Sequence, residues 1–196
     1  MNVKTALDSS VSCGCFSTKS VVNPANEQLL VVAGRRCYNQ PMGLQLLTVG
    51  KARQDGLAAT GKDYLARLSH YTRIEETVVR EERATKGMTP ATVMRQEGLR
   101  IASLVKPECF VIALDRGGNT VTSEGLASKL QQLADTGRDV TFVIGGAWGL
   151  SPDILEKSDW VWALSSLTYP HELARIVVLE QLYRAHSILR GEPYHK

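Results

Sequence analysis

From Gly43 onward, short runs of apolar and β-branched residues alternate with longer segments in which apolar residues recur every three or four positions. The short runs predict β-strands over 44–49, 74–80, 110–114, 140–144 and 160–164. The longer segments predict helices over 56–70, 89–105, 123–135, 151–158 and 170–190. This alternation predicts an α/β fold in which a mainly parallel sheet is covered by helices on both faces. Ligands of such folds bind at the carboxyl ends of the strands, so we expect the site among the loops that follow them.

Residues 1–42 lack this periodicity and are rich in serine. We therefore expect an N-terminal extension over 1–42, disordered or dispensable, and one folded domain over 43–196. Three explanations of the extension stay open: a disordered tail, an organellar targeting segment, or an upstream stretch added by a start codon set too early. Asp8 and Glu27 count against targeting, because targeting segments avoid acidic residues.

The composition is that of a globular protein, with 43% hydrophobic and 22% charged residues in a chain of 196. No apolar run approaches the roughly 20 residues that a membrane helix needs, so we expect a soluble, cytoplasmic protein. The net charge of +3 permits an anionic partner without requiring one. We expect no metal site, because Cys13-Gly14-Cys15 lacks the spacing of roughly two to four residues between paired zinc ligands.

Glycine-rich stretches follow two of the predicted strands. Asp115-Arg116-Gly117-Gly118 follows the strand over 110–114, and Gly145-Gly146-Ala147-Trp148-Gly149 follows the strand over 140–144. Glycine allows a ligand to approach the backbone closely, so we expect two neighbouring loops that form one cleft. The alternative is that both are ordinary tight turns.

The last quarter of the chain combines a hydroxyl-rich loop, Leu164 to His171, with a helix and a polar tail that ends Tyr194-His195-Lys196. Such a loop offers free backbone donors and acceptors to a polar cofactor. We expect Thr168 to cap the helix over 170–190, and Glu180 to pair with Arg184 one turn later. Gly191 and Pro193 are typical of a helix end. For His171, at the start of this helix, we favour a structural role.

From about Leu44 to Lys196 the chain resembles the ribosomal RNA large-subunit methyltransferase H family, small bacterial members of the SPOUT methyltransferases. The resemblance rests on seven stretches in the same order: 46–51 (LLTVGK), 111–115 (VIALD), 123–127 (SEGLA), 142–146 (FVIGG), 164–171 (LSSLTYPH), 180–185 (EQLYRA) and the closing YHK. It implies an S-adenosylmethionine-dependent enzyme that methylates ring nitrogen 3 of a pseudouridine in 23S ribosomal RNA on the assembled ribosome. It also implies a homodimer and a C-terminal trefoil knot.

The resemblance implies a cofactor pocket made by the ends of two strands and one loop: Leu114, Gly145, Leu164, Ser165, Ser166, Leu167, Thr168 and Tyr169. For catalysis, His195 is the candidate base and Tyr194 a stacking or hydrogen-bonding partner. Arg184 and Lys196 are candidates to hold phosphates or the developing charge. The alternative is that the tail only closes over the bound nucleotide.

Two other functions are alternatives. A nicotinamide-dependent oxidoreductase would suit the α/β order and the glycine loops, but Val49-Gly50-Lys51 after the first strand lacks the G-x-G-x-x-G pattern of dinucleotide-binding folds. A non-catalytic ribosome-binding protein is suggested only by the modest positive charge, and the intact loop and tail count against it.

Overall fold

The computed structural model describes residues 42–195. Within this range five strands alternate with five α-helices and a short 3-10 helix. The strands are β1 Leu44–Val49, β2 Ile74–Val79, β3 Phe110–Asn119, β4 Val140–Ile144 and β5 Trp160–Trp162. The helices are α1 Asp55–Ser69, α2 Pro90–Leu104, α3 Ser123–Asp135, α4 Pro152–Lys157 and α5 His171–Leu189, followed by the 3-10 turn Pro193–His195. Residues 1–41 of the predicted extension, which include the Cys13–Cys15 pair, and Lys196 lie outside the described residues, so the domain boundary stays a prediction.

The five strands form one sheet in the order β2-β1-β4-β3-β5, and every pairing is parallel. The predicted α/β fold with a parallel sheet is therefore confirmed. Strand β4 lies between β1 and β3 although it follows both in the chain. Because all strands run the same way, the loops after β3, β4 and β5 emerge at one edge of the sheet.

Helices cover both faces of the sheet, as predicted. On one face the larger core packs α1, α3 and α5 against the strands, with Phe142 and Leu46 fully buried at its centre. On the other face a smaller core packs α2 and α4 through Ile101 and Ile154. The buried strand residues alternate between the two faces, as expected for a parallel sheet with two covered sides.

Strand β3 is longer than predicted, and the expected glycine loop after it was wrong. Asp115-Arg116-Gly117-Gly118 continues the strand to Asn119, with an irregular register against β5 between Leu114 and Asn119. A Cβ atom at Gly118 would lie 2.5 Å from the carbonyl oxygen of Val161. The missing side chain therefore lets the two strands approach, instead of forming a turn.

Helix α5 returns from the sheet edge toward the centre. It follows β5, the edge strand next to β3, yet contacts β1 and β4 as well as α1 and α3. A buried ion pair fixes this path: Arg175 bonds both carboxylate oxygens of Glu76 on β2, with Nη2 2.7 Å from Oε2. The connection over 163–170 consequently crosses the carboxyl ends of the central strands.

The start of α5 differs from the expectation. Pro170 occupies the N-cap position, without a side-chain cap, so the prediction that Thr168 caps the helix was wrong. Thr168 stays in the preceding loop and lines the cleft described below. The predicted pair of Glu180 and Arg184 is confirmed, with Nη2 2.6 Å from Oε1.

Candidate functional site

A cleft of about 350 Å³ opens at the carboxyl edge of the sheet. Its walls come from the end of β3, the reversal after β4, the connection between β5 and α5, and the first turn of α5. Its volume falls within the range of roughly 300–1,000 Å³ that is usual for small-molecule sites. The lining residues are Leu114, Asp115, Arg116, Ile144, Gly145, Gly146, Ala147, Trp148, Gly149, Trp162, Leu164, Ser165, Leu167, Thr168, Tyr169, His171 and Ala174.

The connection 164–169 is shaped by Ser165. The Ser165 hydroxyl accepts a hydrogen bond from the backbone N–H of Leu167 at 2.9 Å and donates to the Tyr169 hydroxyl at 3.2 Å. Among the described residues, the backbone N–H groups of Leu164, Ser166 and Thr168 have no hydrogen-bond partner. Since backbone donors require partners, this loop presents several donors that a ligand can satisfy.

The reversal after β4 depends on Gly145. A Cβ atom there would lie 2.6 Å from the carbonyl carbon of Gly149 and 2.9 Å from the nitrogen of Leu150. Gly146 and Gly149 pair across the reversal, and Gly149 has a φ of +85°, which favours glycine. The first obstacle to a side chain at Gly145 is therefore the backbone of the same loop.

A buried carboxylate lies beneath this reversal. Glu97 of α2 is only 3% exposed, and its Oε1 accepts a hydrogen bond from the backbone N–H of Glu82 at 2.9 Å. Its Oε2 has no partner among the described residues and would lie 3.0 Å from a Cβ atom at Gly146. Burial raises the pKa of Glu97, because the charged form loses its hydration. Glu97 therefore joins the segment after β2 to the reversal after β4.

Charged and apolar side chains are both present at the cleft. Asp115 and Arg116 bring opposite charges, and the Asp115 carboxylate accepts a hydrogen bond from Gly117 N–H at 2.8 Å. Trp148 and Leu167 are more than half exposed at its mouth. Exposed apolar surface beside a polar pocket is typical of a binding site, so a partner or substrate is expected to cover it.

The C-terminal residues form a separate cluster on α1 and α5. The Arg184 guanidinium bonds Glu180 and lies 5.0 Å from the centre of the Tyr194 ring. The Tyr194 ring packs edge-on against the Tyr183 ring, with 4.7 Å between the ring centres, and the Tyr194 hydroxyl lies 3.5 Å from the Tyr64 hydroxyl. These contacts hold the tail against its own helix.

The environment of this cluster fixes the protonation of its members. Burial, together with the hydroxyl of Tyr64, raises the pKa of Tyr194, so its phenol stays neutral at physiological pH. The hydrogen bond to Glu180 raises the pKa of Arg184, which stays charged. The cluster therefore offers a hydroxyl donor and a permanent cation.

The structure places the predicted cofactor residues at the cleft, and it places Tyr194 and Arg184 in the separate cluster. Seven of the eight cofactor residues line the cleft, and Ser166 is exposed beside it. Tyr194 and Arg184 do not line it. Along α5, the 13 positions from His171 at the cleft to Arg184 correspond to about 20 Å. His171 lies beside Gly50, with Nε2 3.3 Å from the position of a Cβ atom there.

Sequence reasoning missed two buried charged side chains near the site, Glu97 and Arg175. Helical spacing could have found both: Glu97 lies four residues from the buried Val93 and Ile101 of α2. Arg175 lies three and four residues before the buried Val178 and Leu179 of α5. Their charge, which favours exposure, is the reason that neither was predicted to be buried. Within residues 42–195, no group of three or more His, Cys, Asp or Glu residues is arranged to hold a metal ion. No helix in the same range combines the length and the apolar character required to cross a bilayer.

Comparison with known proteins identifies the class. The family described as predicted SPOUT methyltransferase matches residues 42–195. Ribosomal RNA large subunit methyltransferase H of Carboxydothermus hydrogenoformans is 41% identical over 159 residues, covering 79% of this chain and all of the relative. The protein of the same name from Halothermothrix orenii is 40% identical over the same length, with the same coverage. The chain therefore belongs to the SPOUT methyltransferases and, within them, to the ribosomal RNA large subunit methyltransferase H family. The resemblance found in the sequence is thus confirmed.

More distant solved structures share low identity. A probable methyltransferase of Bordetella pertussis is 12% identical with a TM-score of 0.47, covering 75% of this chain and 96% of that one. A methyltransferase of Legionella pneumophila, solved with bound S-adenosylmethionine, is 15% identical with a TM-score of 0.43. The match covers 74% of this chain and 67% of that one.

Proposed function

We propose that the protein is an S-adenosylmethionine-dependent methyltransferase that modifies ring nitrogen 3 of a pseudouridine in 23S ribosomal RNA. The observation that carries this proposal is the cleft at the carboxyl edge of the sheet, which is lined by seven of the eight residues matched to the family's cofactor pocket. Full-length relatives at about 40% identity bear the name of that enzyme.

The described groups fit this cofactor. Free backbone N–H groups of Leu164, Ser166 and Thr168 suit the acceptors of an adenine and a ribose. Asp115 and Arg116 offer charges opposite to those of an amino acid's ammonium and carboxylate. When bound, S-adenosylmethionine supplies a methyl group that its sulfonium has already activated for transfer. The protein's part is therefore chiefly to align the acceptor and exclude water.

The acceptor nitrogen must lose a proton. We propose that a residue of the C-terminal tail accepts it. Tyr194 stays neutral and Arg184 stays charged, so neither is suited to accept a proton near neutral pH. Of the predicted catalytic residues this leaves His195 as the base, because an imidazole titrates in this range. Arg184 stabilises negative charge on the ring or a phosphate, and Tyr194 donates a hydrogen bond or stacks.

We infer that the enzyme works as a homodimer in which each tail serves the cleft of the partner. The inference is supported by the separation of about 20 Å along α5 between cleft and cluster, which is too long for contact within one chain. Symmetric dimers allow the same two surfaces to meet twice. Mixing a Gly145→Val protein with an Arg184→Ala protein should then restore activity that neither has alone. Mixtures as inactive as their parents would contradict the shared site.

We place the enzyme with ribosomes in the cytoplasm, or in an organelle if residues 1–42 prove to be a targeting segment. The C-terminal trefoil knot is also part of the proposal, and the return of α5 to the centre of the sheet is consistent with it.

Mass analysis of ribosomal RNA nucleosides tests the function. Ribosomes from a strain lacking the gene should lack one methylated pseudouridine, and the purified protein with labelled S-adenosylmethionine should restore it. Unchanged nucleosides in that strain, or label at another nucleotide, would refute the assignment.

A further inference from the structure

Positive side chains are arranged differently at the two ends of the sheet. At the amino end, three cations each pair with a carboxylate: Arg73 with Asp139 at 3.4 Å, Lys106 with Glu75 at 2.8 Å, and Arg138 with Asp159 at 3.6 Å. Such paired charges leave little net field at that end.

At the carboxyl end there are five exposed cations. Four follow β1 and β2, and one lies in the last part of β3: Lys51, Arg80, Arg83, Lys86 and Arg116. None of these five forms an ion pair with a carboxylate of residues 42–195. We call this surface, residues 51–53 and 80–86 with Arg116, the basic rim.

The two acidic residues of the basic rim are already engaged. Glu81 pairs with Arg53 at 2.8 Å, and Glu82 pairs with Arg100 of α2. Each of these carboxylates has a cation of its own, so they do not cancel the five unpaired charges. The rim therefore presents a net positive surface to solvent.

The basic rim adjoins the cleft through direct contacts. The backbone N–H of Arg53 donates to Glu172 in the first turn of α5 at 3.0 Å, and Arg116 itself lines the cleft. The segment after β2 reaches the reversal after β4 through the hydrogen bond from Glu82 to Glu97. A chain with regularly spaced negative charges that lies on the rim would thus pass the mouth of the cleft.

We propose that the basic rim binds the sugar–phosphate backbone on one side of the nucleotide that enters the cleft. The proposal rests on the proposed function, since it takes RNA as the substrate. Phosphate contacts set the position of a nucleic acid without reading its sequence. The rim therefore sets affinity and register on the ribosome, whereas the cleft selects the nucleotide.

Two double variants with equal charge change test the rim. Arg83→Gln/Lys86→Gln removes two cations from it, and Lys62→Gln/Lys157→Gln removes two exposed cations of α1 and α4, which also lack ion pairs among residues 42–195. Binding to 70S ribosomes from the strain lacking the gene is measured by sedimentation, without cofactor, at several salt concentrations. Loss of two contacts to single-strand phosphates makes the fall of log affinity with log salt concentration less steep by about 1.4. Relative to binding at about 1 M salt, this corresponds to about 25-fold weaker binding at about 0.1 M salt.

The proposal predicts that loss only for the rim variant, with unchanged S-adenosylmethionine affinity in both proteins. Equal ribosome affinity and equal salt slopes for the two variants would overturn it, as would a wild-type protein that does not bind ribosomes. Lys51→Gln/Arg80→Gln repeats the test with separate positions if the first pair folds poorly. Sedimentation measures binding and needs no methyl transfer. A rim that does not contribute to ribosome binding is therefore distinguished from a protein that does not carry out the proposed reaction.

Discussion

Replacing Gly145 with alanine tests whether the tight reversal after β4 builds the cleft. The added methyl group would lie 2.6 and 2.7 Å from the carbonyl carbon and oxygen of Gly149, and 2.9 Å from the nitrogen of Leu150. Contacts between heavy atoms are most favourable at about 3.5–4.0 Å, so the facing backbone must move by roughly 1 Å.

The cost follows from this displacement. Overpacking of a rigid site costs about 1–3 kcal/mol, and for a domain of this size each kcal/mol lowers Tm by about 2–4 °C. Gly145→Ala should therefore lower Tm by about 2–12 °C in scanning calorimetry. It should also weaken binding of S-adenosylmethionine about tenfold or more in titration calorimetry, where tenfold corresponds to about 1.4 kcal/mol.

Gly56→Ala is the matched control. Gly56 lies in the first turn of α1, and no atom lies within 4 Å of the position that its Cβ would take. Alanine is favoured over glycine in helices by up to about 1 kcal/mol, so this variant should be as stable as the wild type or more stable. If Gly145→Ala matched Gly56→Ala in both Tm and cofactor affinity, the steric reasoning would be refuted.

Three further changes test other parts of the account. Ser165→Ala should weaken cofactor binding by about 2- to 13-fold in titration calorimetry, because it removes the acceptor of the Leu167 N–H, a hydrogen bond of about 0.5–1.5 kcal/mol; unchanged affinity would argue against a preformed loop. Because burial raises the pKa of Glu97, the folded state holds its proton more tightly than the unfolded chain. Stability should therefore fall as pH rises above 4.5, and Glu97→Gln should flatten this slope in urea unfolding; a variant with the wild-type slope would assign it to other groups. Arg175→Met leaves the part-buried carboxylate of Glu76, with 16% of its side chain exposed, without its partner and should cost about 3 kcal/mol in urea unfolding; a loss below 1 kcal/mol, on the order of a surface pair, would contradict the shielding of this pair from water.

Most of the fold could be predicted because each strand is a short run that contains apolar or β-branched residues and each helix is a longer periodic segment. β4, for example, reads Val140 to Ile144 and is buried at every position. The order of strands could not be predicted in this way. Placement of β4 between β1 and β3 depends on contacts between residues far apart in sequence, and no local pattern encodes them.

The errors near the site have local physical reasons. Gly117-Gly118 was predicted to lie in a loop after the strand, with an ordinary tight turn as the alternative, but these glycines stay in β3 and allow it to lie against the backbone of Val161. Thr168 has a suitable side chain for a helix cap, but Pro170 occupies the N-cap position, which leaves Thr168 in the loop that lines the cleft. Glycine is common both in turns and at close strand contacts, and threonine both at helix caps and in loops. In both cases tertiary contacts decide between the two roles.

A crystal structure of the protein with S-adenosylmethionine would show whether the cleft is the cofactor site. We expect electron density for the cofactor in the cleft, in contact with Gly145 and hydrogen-bonded to the backbone of Leu164, Ser166 or Thr168. Density at any other place on the chain, with this cleft empty, would contradict it.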